Sequence, residues 1–223
     1  MHNSDLRHDI PRAFISSTVE DLRRYRLAAR DAVIRTNLFP EMQEYFTASD
    51  DNPPLEECLR RVRTAEVLIV IVARRYGWVP EGQAPNQYKS ITWLEAEEAV
   101  RTSKEVLAFI LDESAEWPKD ATEGYRLAVA AERADVTPEL ASEVQRKIKN
   151  LSRFKKWLQA RSICAKFKTA DSLKANVEAA LREWRTRHRD LSDAPVARRD
   201  GTRDPRTSRI FTYLSRQSQE PRN

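Results

Sequence analysis

Glycine is scarce in this 223-residue chain, which has only Gly77, Gly82, Gly124 and Gly201. Phosphate-binding loops of the G-x-G-x-x-G and Walker types need several glycines within a few residues, so the sequence excludes both. The same scarcity argues against a β-sandwich built from tight hairpins. A nucleotide site in this chain would have to be built without a glycine-rich loop.

Histidine and cysteine are rarer still, with three and two residues. The histidines His2, His8 and His188 lie outside the apolar pattern of the core, and Cys58 and Cys164 are too far apart to form a C-x-x-C pair. These positions argue against a histidine-activated nucleophile and against a zinc site. We therefore expect any chemistry to depend on carboxylates, hydroxyls and arginines, with no metal.

The apolar runs of the sequence are short. None is long enough for a membrane-spanning helix, and the first ten residues carry charges where a secretory leader has an apolar segment. Isolated thiols without a leader are typical of a reducing compartment. The sequence therefore predicts a soluble, cytoplasmic protein.

The net charge of +5 conceals an asymmetry between the two parts of the chain. Residues 1–145 contain 18 Lys/Arg and 26 Asp/Glu, whereas residues 146–223 contain 21 and 8. Such a basic segment is typical of nucleic-acid or partner binding, but also of a helix with a solvated basic face. Only Phe211 and Tyr213 could stack on bases in the tail, so nucleic acid is the least favoured partner. Residues 189–223 are interpreted as a basic, disordered linker or tail.

Short apolar segments alternate with amphipathic ones between residues 12 and 188, after a short N-terminal extension over 1–11. The predicted strands are 12–18, 38–46, 67–73, 106–111 and 162–167. The predicted helices begin near Thr18 and Asp21, near Leu55, near Thr92, at 137 (a long basic helix over 137–160) and at Asp171. This alternation predicts an α/β fold, a flavodoxin-like five-stranded parallel sheet of order 2-1-3-4-5 with helices on both faces.

That strand order predicts where a ligand would bind. The crevice of such a sheet lies beyond the carboxyl ends of strands 1 and 3. Strand 1 ends in Ser16, Ser17 and Thr18, whose hydroxyl and N–H groups suit a phosphate at a helix N-terminus, or simply cap that helix. The residues that follow strand 3 are Arg74, Arg75, Tyr76, Gly77 and Trp78.

The side chains after strand 3 allow a functional and a structural interpretation. Arg74 and Arg75 suit a phosphate or a carboxylate partner, or they form a solvated pair. Tyr76, Trp78 and Trp93 offer flat faces to a base, although aromatic residues near a loop often only pack. The next helix carries Glu95, Glu97 and Glu98. Three glutamates are ordinary on a surface helix, so composition alone assigns no catalytic role to any of them.

Several motifs together resemble a family. Phe14-Ile-Ser-Ser-Thr-x-x-Asp-Leu-x-x-x-Arg26 is similar to the opening signature of a TIR-like (Toll/interleukin-receptor-related) domain of unknown function, found at the N-termini of prokaryotic defence and NLR-like proteins. The similarity continues from Glu44 to Cys58, at Arg75-Tyr-Gly77 and at Ser90-Ile-Thr-x-x-Glu95-x-x-x-Ala99. It covers roughly residues 12–188. Glu66, where an aspartate is usual, and Trp93, where relatives are often charged, depart from the pattern.

The resemblance implies a TIR-like fold and, in the active branches of that wider group, cleavage of the N-glycosidic bond of NAD⁺ by a glutamate on the helix after the third strand. Glu95 matches that position, with Glu98 one helical turn further as the fallback and Glu97 pointing elsewhere. The resemblance also implies phosphate, ribose and base contacts from the residues that end strands 1 and 3: Ser16, Ser17, Thr18, Arg74, Arg75, Tyr76, Gly77 and Trp78.

The favoured hypothesis is an immune or antiviral NAD⁺ glycohydrolase, with NAD⁺ as substrate and no other cofactor. Its expected partners are NAD⁺ or a related nucleotide, further copies of itself on activation, and an NTPase or sensor module, with no membrane. The alternative is a non-enzymatic TIR-like signalling or scaffold domain that acts by self-association or by recruiting a partner.

Overall fold

The computed structural model describes residues 10–42, 55–84 and 87–188. The predicted N-terminal extension lies almost entirely outside this part of the chain. The predicted tail over 189–223 lies wholly outside it, and so does the end of the predicted second strand, beyond residue 42. The strands that it contains are β1 (Arg12–Ser17), β2 (Phe39–Met42), β3 (Val67–Val72), β4 (Glu105–Leu111) and β5 (Ile163–Phe167). They form one sheet of order β2-β1-β3-β4-β5, and every pairing is parallel. The predicted fold class is confirmed.

Helices cover both faces of this sheet. They are α1 (Arg23–Arg35), α2 (Leu55–Thr64), α3 (Ile91–Arg101), α4 (Tyr125–Glu132), α5 (Pro138–Arg161) and α6 (Ala170–Arg187). Helices α1 and α6 pack on one face around Ala29, Val33 and Trp184. Helices α2, α3 and α5 pack on the other face around Val62, Ala96 and Phe154.

Strand β3 is the centre of the fold because all six of its residues, Val67–Val72, are buried. A continuous run of β-branched and aliphatic residues suits a parallel strand with helices on both sides. It pairs with β1 through Ala13↔Val67 to Ser17↔Ile71. Since both strands run in the same direction, their carboxyl ends meet at one edge of the sheet.

The local structure departs from the sequence prediction at two places. Helix α1 begins at Arg23 with Leu22 at its N-cap, and no side chain caps it, so the predicted start at Thr18 and Asp21 was wrong. Residues 19–22 form a bend and a turn before the helix. Between β4 and α5, where no element was predicted, the chain forms a 3₁₀ turn at Lys119–Ala121 and then α4.

Helix α5 begins as its sequence dictates. The Thr137 hydroxyl accepts a hydrogen bond from the Leu140 N–H at 3.2 Å, and Pro138 occupies the first turn, where its missing N–H has no cost. No helix of the described residues combines the length and the apolar character that crossing a bilayer requires.

Candidate functional site at the carboxyl end of the first strand

A carboxylate from α3 meets a hydroxyl from β1. Alternate residues of β1 face opposite sides of the sheet, and Ser16 shares the side of Phe14, which packs in the core beneath α3. The Ser16 Oγ donates a hydrogen bond to the Oε2 atom of Glu95. Glu95 lies in the second turn of α3 and is only 6% exposed. The carboxyl group is therefore held at the end of β1 and away from solvent.

An arginine reaches the same strand end from the other face. Arg26 of α1 is 1% exposed, and its Nη1 donates to the Ser17 Oγ at 2.8 Å and to the Ile15 carbonyl at 3.4 Å. The Ser17 hydroxyl in turn donates to the Thr18 carbonyl at 2.8 Å. Ser16, Ser17, Arg26 and Glu95 together are called the β1 cluster below.

Burial raises the pKa of Glu95 to about 7, while the Ser16 hydrogen bond and the positive charge of Arg26 oppose this rise. A carboxyl group in apolar surroundings holds its proton more tightly because its charged form loses hydration. Glu95 is therefore present in both protonation states near neutral pH. Such a group, buried beside a specific charged partner, is a candidate for function.

A buried thiol lies near the same carboxylate. Burial is the main cause that raises the pKa of Cys58 to about 12, and the charge of Glu95 contributes. Cys58 is therefore a protonated core residue rather than a nucleophile. Among the residues that the structure describes, no three His, Cys, Asp or Glu side chains are grouped as a metal site would require.

The fallback residue Glu98 has very different surroundings. Its carboxylate accepts hydrogen bonds from Arg101, including one of 2.6 Å from Nη2, and another from the Arg63 Nε. The Arg101 hydrogen bonds, helped by Arg63, lower the pKa of Glu98 to about 2. Arg63, Glu98 and Arg101 are called the Glu98 cluster below. Glu97 pairs with the Lys89 Nζ at 2.8 Å.

The two arginines after β3 have partners within the protein. The Arg74 Nη2 donates to the Glu113 carbonyl at 2.8 Å. Arg75 forms an ion pair with Glu20 and donates to the Asp120 carbonyl at 2.9 Å. The side chain of Glu20 is 83% exposed, so this ion pair lies at the surface.

Tyr76 is a buried structural residue in this arrangement. Its hydroxyl donates to the Tyr88 carbonyl at 2.8 Å and accepts from the Ser90 N–H at 3.1 Å. Burial raises its pKa to about 12. Since Ser90 directly precedes α3, these hydrogen bonds fix the start of the helix that carries Glu95.

Gly77 brings the ends of β1 and β3 together. It adopts a φ of +88°, and a Cβ placed there would lie 2.8 Å from the Thr18 Cγ2. Only glycine fits both the left-handed backbone and this approach. The neighbouring Trp78 is 39% exposed, and its carbonyl accepts the Ile91 N–H at 3.0 Å.

The structure thus brings Glu95 together with Ser16, and places Ser17 and Thr18 at the same strand end. Sequence reasoning missed the role of Arg26, although Arg26 is part of the opening motif. A signal was available, since Arg26 falls on the apolar face of α1 defined by Leu22, Ala29 and Val33. A charged residue on such a face must find buried partners.

The fold and the β1 cluster define a class: a flavodoxin-like parallel α/β domain with a buried carboxylate at the end of its first strand. Residues 12–182 match the family described as a domain of unknown function, DUF4062, and this chain belongs to that family. No curated protein matched the chain.

Solved structures with similar folds have low identity to this chain. The TIR domains of the activated Roq1 resistosome, which directly recognises the pathogen effector XopQ, share 12% identity with a TM-score of 0.43, over 78% of this chain and 99% of theirs. The diflavin flavoprotein A3 of Nostoc sp. shares 17% with a TM-score of 0.36, over 82% and 97%. The flavodoxin-like domain of a Synechococcus sp. protein shares 12% with a TM-score of 0.27, over 68% and 99%.

Proposed function

We propose that this domain is a TIR-like immune effector that hydrolyses the bond between nicotinamide and ribose in NAD⁺. The observation that supports the proposal is the β1 cluster. Its carboxylate, Glu95, is 6% exposed, is hydrogen-bonded by one neutral hydroxyl, and lies at the strand end where such folds bind ligands.

The reaction would need one carboxylate and no general acid. The C1′–N bond breaks and its electron pair goes to the pyridinium nitrogen, so nicotinamide leaves as a neutral molecule. Water adds to C1′ and loses a proton, which gives ADP-ribose. Positive charge develops on the ribose in the transition state, and an ionised Glu95 beside it would stabilise that charge.

The surroundings of Glu95 suit this role. A carboxylate in a water-poor site interacts more strongly with a developing cation than one in water. The pKa of about 7 leaves a share of the ionised form at neutral pH, and the pyridinium charge of bound NAD⁺ would increase that share. We therefore expect kcat/KM, which reports the free enzyme, to rise as the pH increases through about 7, and kcat to rise at a lower pH.

The remaining candidates would bind the rest of the nucleotide. Arg75 could exchange the exposed Glu20 for a phosphate at little cost, because surface ion pairs contribute little stability. Ser17 and Thr18 would offer hydroxyl and N–H donors, and the exposed face of Trp78 would stack on a base. Arg74 would support the phosphate, while Tyr76 and Gly77 would shape the site.

Nicotinamide release tests the proposal. The purified full chain is incubated with NAD⁺, alone and fused to a tetrameric coiled coil that enforces self-association, and the products are separated by chromatography. Glu95→Gln should abolish release, whereas the matched control Glu97→Gln, on the same helix, should retain it. Release by Glu95→Gln at the original rate would contradict the proposal.

A second candidate function is a non-enzymatic TIR-like signalling or scaffold domain. It is favoured by the observation that Arg74, Arg75 and Tyr76 already have partners within the protein. In that case the β1 cluster only stabilises the fold. The enforced tetramer would then release no nicotinamide, and Glu95→Gln would still self-associate and recruit its partner.

A further inference from the structure

The basic residues of α5 form a separate feature that the proposed activity does not use. Residues 144–170 contain nine Lys/Arg and no Asp/Glu. On α5, five of them are exposed, and four of these follow one another at intervals of three and four residues and therefore lie along one side of the helix. This α5 ridge consists of Arg146, Lys149, Arg153 and Lys156.

The charges of the α5 ridge are not neutralised within the part of the chain that the structure describes. Arg153 donates to the Asn150 amide at 3.2 Å, and Arg146 lies over the Tyr88 ring at 4.8 Å, but no ridge residue pairs with a carboxylate. By contrast, the less exposed Lys147 pairs with Glu143 at 3.2 Å. The charges on the exposed side of α5 are therefore available to a partner.

We propose that the α5 ridge binds the phosphate backbone of a nucleic-acid duplex without reading its sequence. From Arg146 to Lys156 the ridge extends about 15 Å, at 1.5 Å per residue. A duplex carries one negative charge per about 1.7 Å of its axis, so this length faces roughly nine phosphates. Regularly spaced cations along a straight helix match such a linear array of charge.

Other polyanionic partners fit the ridge less well. The ridge is the exposed side of a helix, whereas acidic and other peptides are commonly recognised in grooves and pockets. Membrane binding needs a broad apolar face, and Ile148 is the one large apolar residue of α5 that is exposed. Single strands bind by stacking on aromatic rings, but the rings near the ridge, Tyr88 and Trp157, are half-buried beneath Arg146 and Arg161.

The salt dependence of duplex binding tests this inference on the full chain. Anisotropy of a labelled 20-base-pair DNA duplex of mixed sequence is measured between about 20 and 200 mM salt. The ridge variant carries Lys149→Gln, Arg153→Gln and Lys156→Gln. The control variant carries Arg23→Gln, Arg35→Gln and Arg133→Gln, three exposed arginines on α1 and directly after α4, with the same change in charge.

We expect the ridge variant to bind more weakly and to lose about three units from the slope of log K against log salt, since each phosphate contact contributes about 0.9. The single change Lys149→Gln should lose about one unit, and far-UV circular dichroism checks that each variant is folded. The inference is supported if the slope for the ridge variant is smaller in magnitude than the slope for the control variant by at least one unit. A smaller difference, no duplex binding by the wild type at 20 mM salt, or equally tight ridge-dependent binding of a 20-residue polyglutamate would overturn it.

Discussion

Two glutamates on one helix show how surroundings decide the chemistry of a residue. Glu95 and Glu98 are less than one helical turn apart on α3, and both are largely buried by their neighbours. Glu95 accepts a hydrogen bond from the neutral Ser16 hydroxyl and has its pKa raised to about 7 by burial. Glu98 accepts hydrogen bonds from Arg101 and Arg63, which lower its pKa to about 2.

The two buried carboxylates differ in the charge of the groups that hydrogen-bond to them. In the Glu98 cluster two arginines hold one largely buried carboxylate, so that carboxylate stays ionised and its charge is already matched. In the β1 cluster, as far as the described residues show, the donor to Glu95 is the neutral Ser16 hydroxyl, and Arg26 acts on Glu95 as a nearby charge. Glu95 can therefore respond to a bound cation, and Glu98 cannot.

The largest expected effect is on folding stability when Arg26 is replaced. Arg26→Met should destabilise the protein by about 3–5 kcal/mol at pH 8, because it deprives two buried acceptors, the Ser17 hydroxyl and the Ile15 carbonyl, of their charged donor. It also removes a positive charge that favours the ionised form of Glu95, so the pKa of Glu95 should rise further. Arg101→Met, in the more exposed Glu98 cluster, should cost at most about 1 kcal/mol. Urea unfolding of both variants measures the difference. Equal losses at the two sites would show that Arg26 does not support the β1 cluster as described.

The second prediction concerns how Glu95 makes the free energy of unfolding depend on pH. A carboxyl whose folded pKa is raised keeps a proton that the unfolded chain has lost, so folding becomes less favourable as the pH rises from about 4.5 to about 7. At about 1.4 kcal/mol per unit the total is about 3 kcal/mol. Glu95→Gln removes this loss and should gain stability over the wild type between pH 5 and pH 8.

Glu98→Gln should behave in the opposite sense. The lowered pKa of Glu98 stabilises the fold above about pH 4.5, and this stabilisation is lost as the pH falls towards 2. The glutamine variant should therefore be less stable than the wild type at pH 7, and approach it in acid. Thermal melts of the three proteins across this range give the test, and parallel curves for all three would contradict the assigned surroundings.

The smallest effect is expected for Ser16→Ala. Loss of the hydroxyl removes a hydrogen bond that lowers the pKa of Glu95, so that pKa should rise further, and stability should fall by about 1–2 kcal/mol. The control Ser114→Ala removes an exposed hydroxyl bonded to Asp112 and should change stability by less than about 0.5 kcal/mol. If the pH at which nicotinamide release rises did not move upwards in Ser16→Ala, Ser16 would not tune Glu95.

The fold was predictable because its strongest signals are long and local. The continuous apolar run Val67–Val72 is typical of a central parallel strand, and five strands that alternate with helices most often adopt the observed order. The start of α1 was not predictable in this way. Thr18 is a residue type that often caps helices. Its Cγ2 methyl group instead lies beside Gly77, where an added Cβ would be only 2.8 Å away, and this contact joins distant parts of the chain.

The site was predictable only in part. The strand order placed Ser16 and Ser17 at the ligand-binding edge, while the choice of Glu95 over Glu98 came from family resemblance, since three glutamates on one helix are equivalent in composition. Part of what separates the two is local, because Arg101 lies three residues after Glu98 on the same helix. The rest depends on arginines 9 and 35 residues distant from their partners, Arg26 from Ser17 and Arg63 from Glu98. These distant contacts depend on tertiary packing and leave no periodic signal.

A carbon-13 titration of the glutamate carboxyl groups tests the central claim most directly, with Glu95 and Glu98 assigned from their glutamine variants. It is performed on the full chain, free and with an NAD⁺ analogue whose nicotinamide ribose has a methylene group in place of the ring oxygen and so resists hydrolysis. We predict a Glu95 midpoint near 7 that the pyridinium charge lowers, and a Glu98 midpoint near 2 that does not move. A Glu95 midpoint near 4.5, or one that the analogue leaves unchanged, would contradict the account.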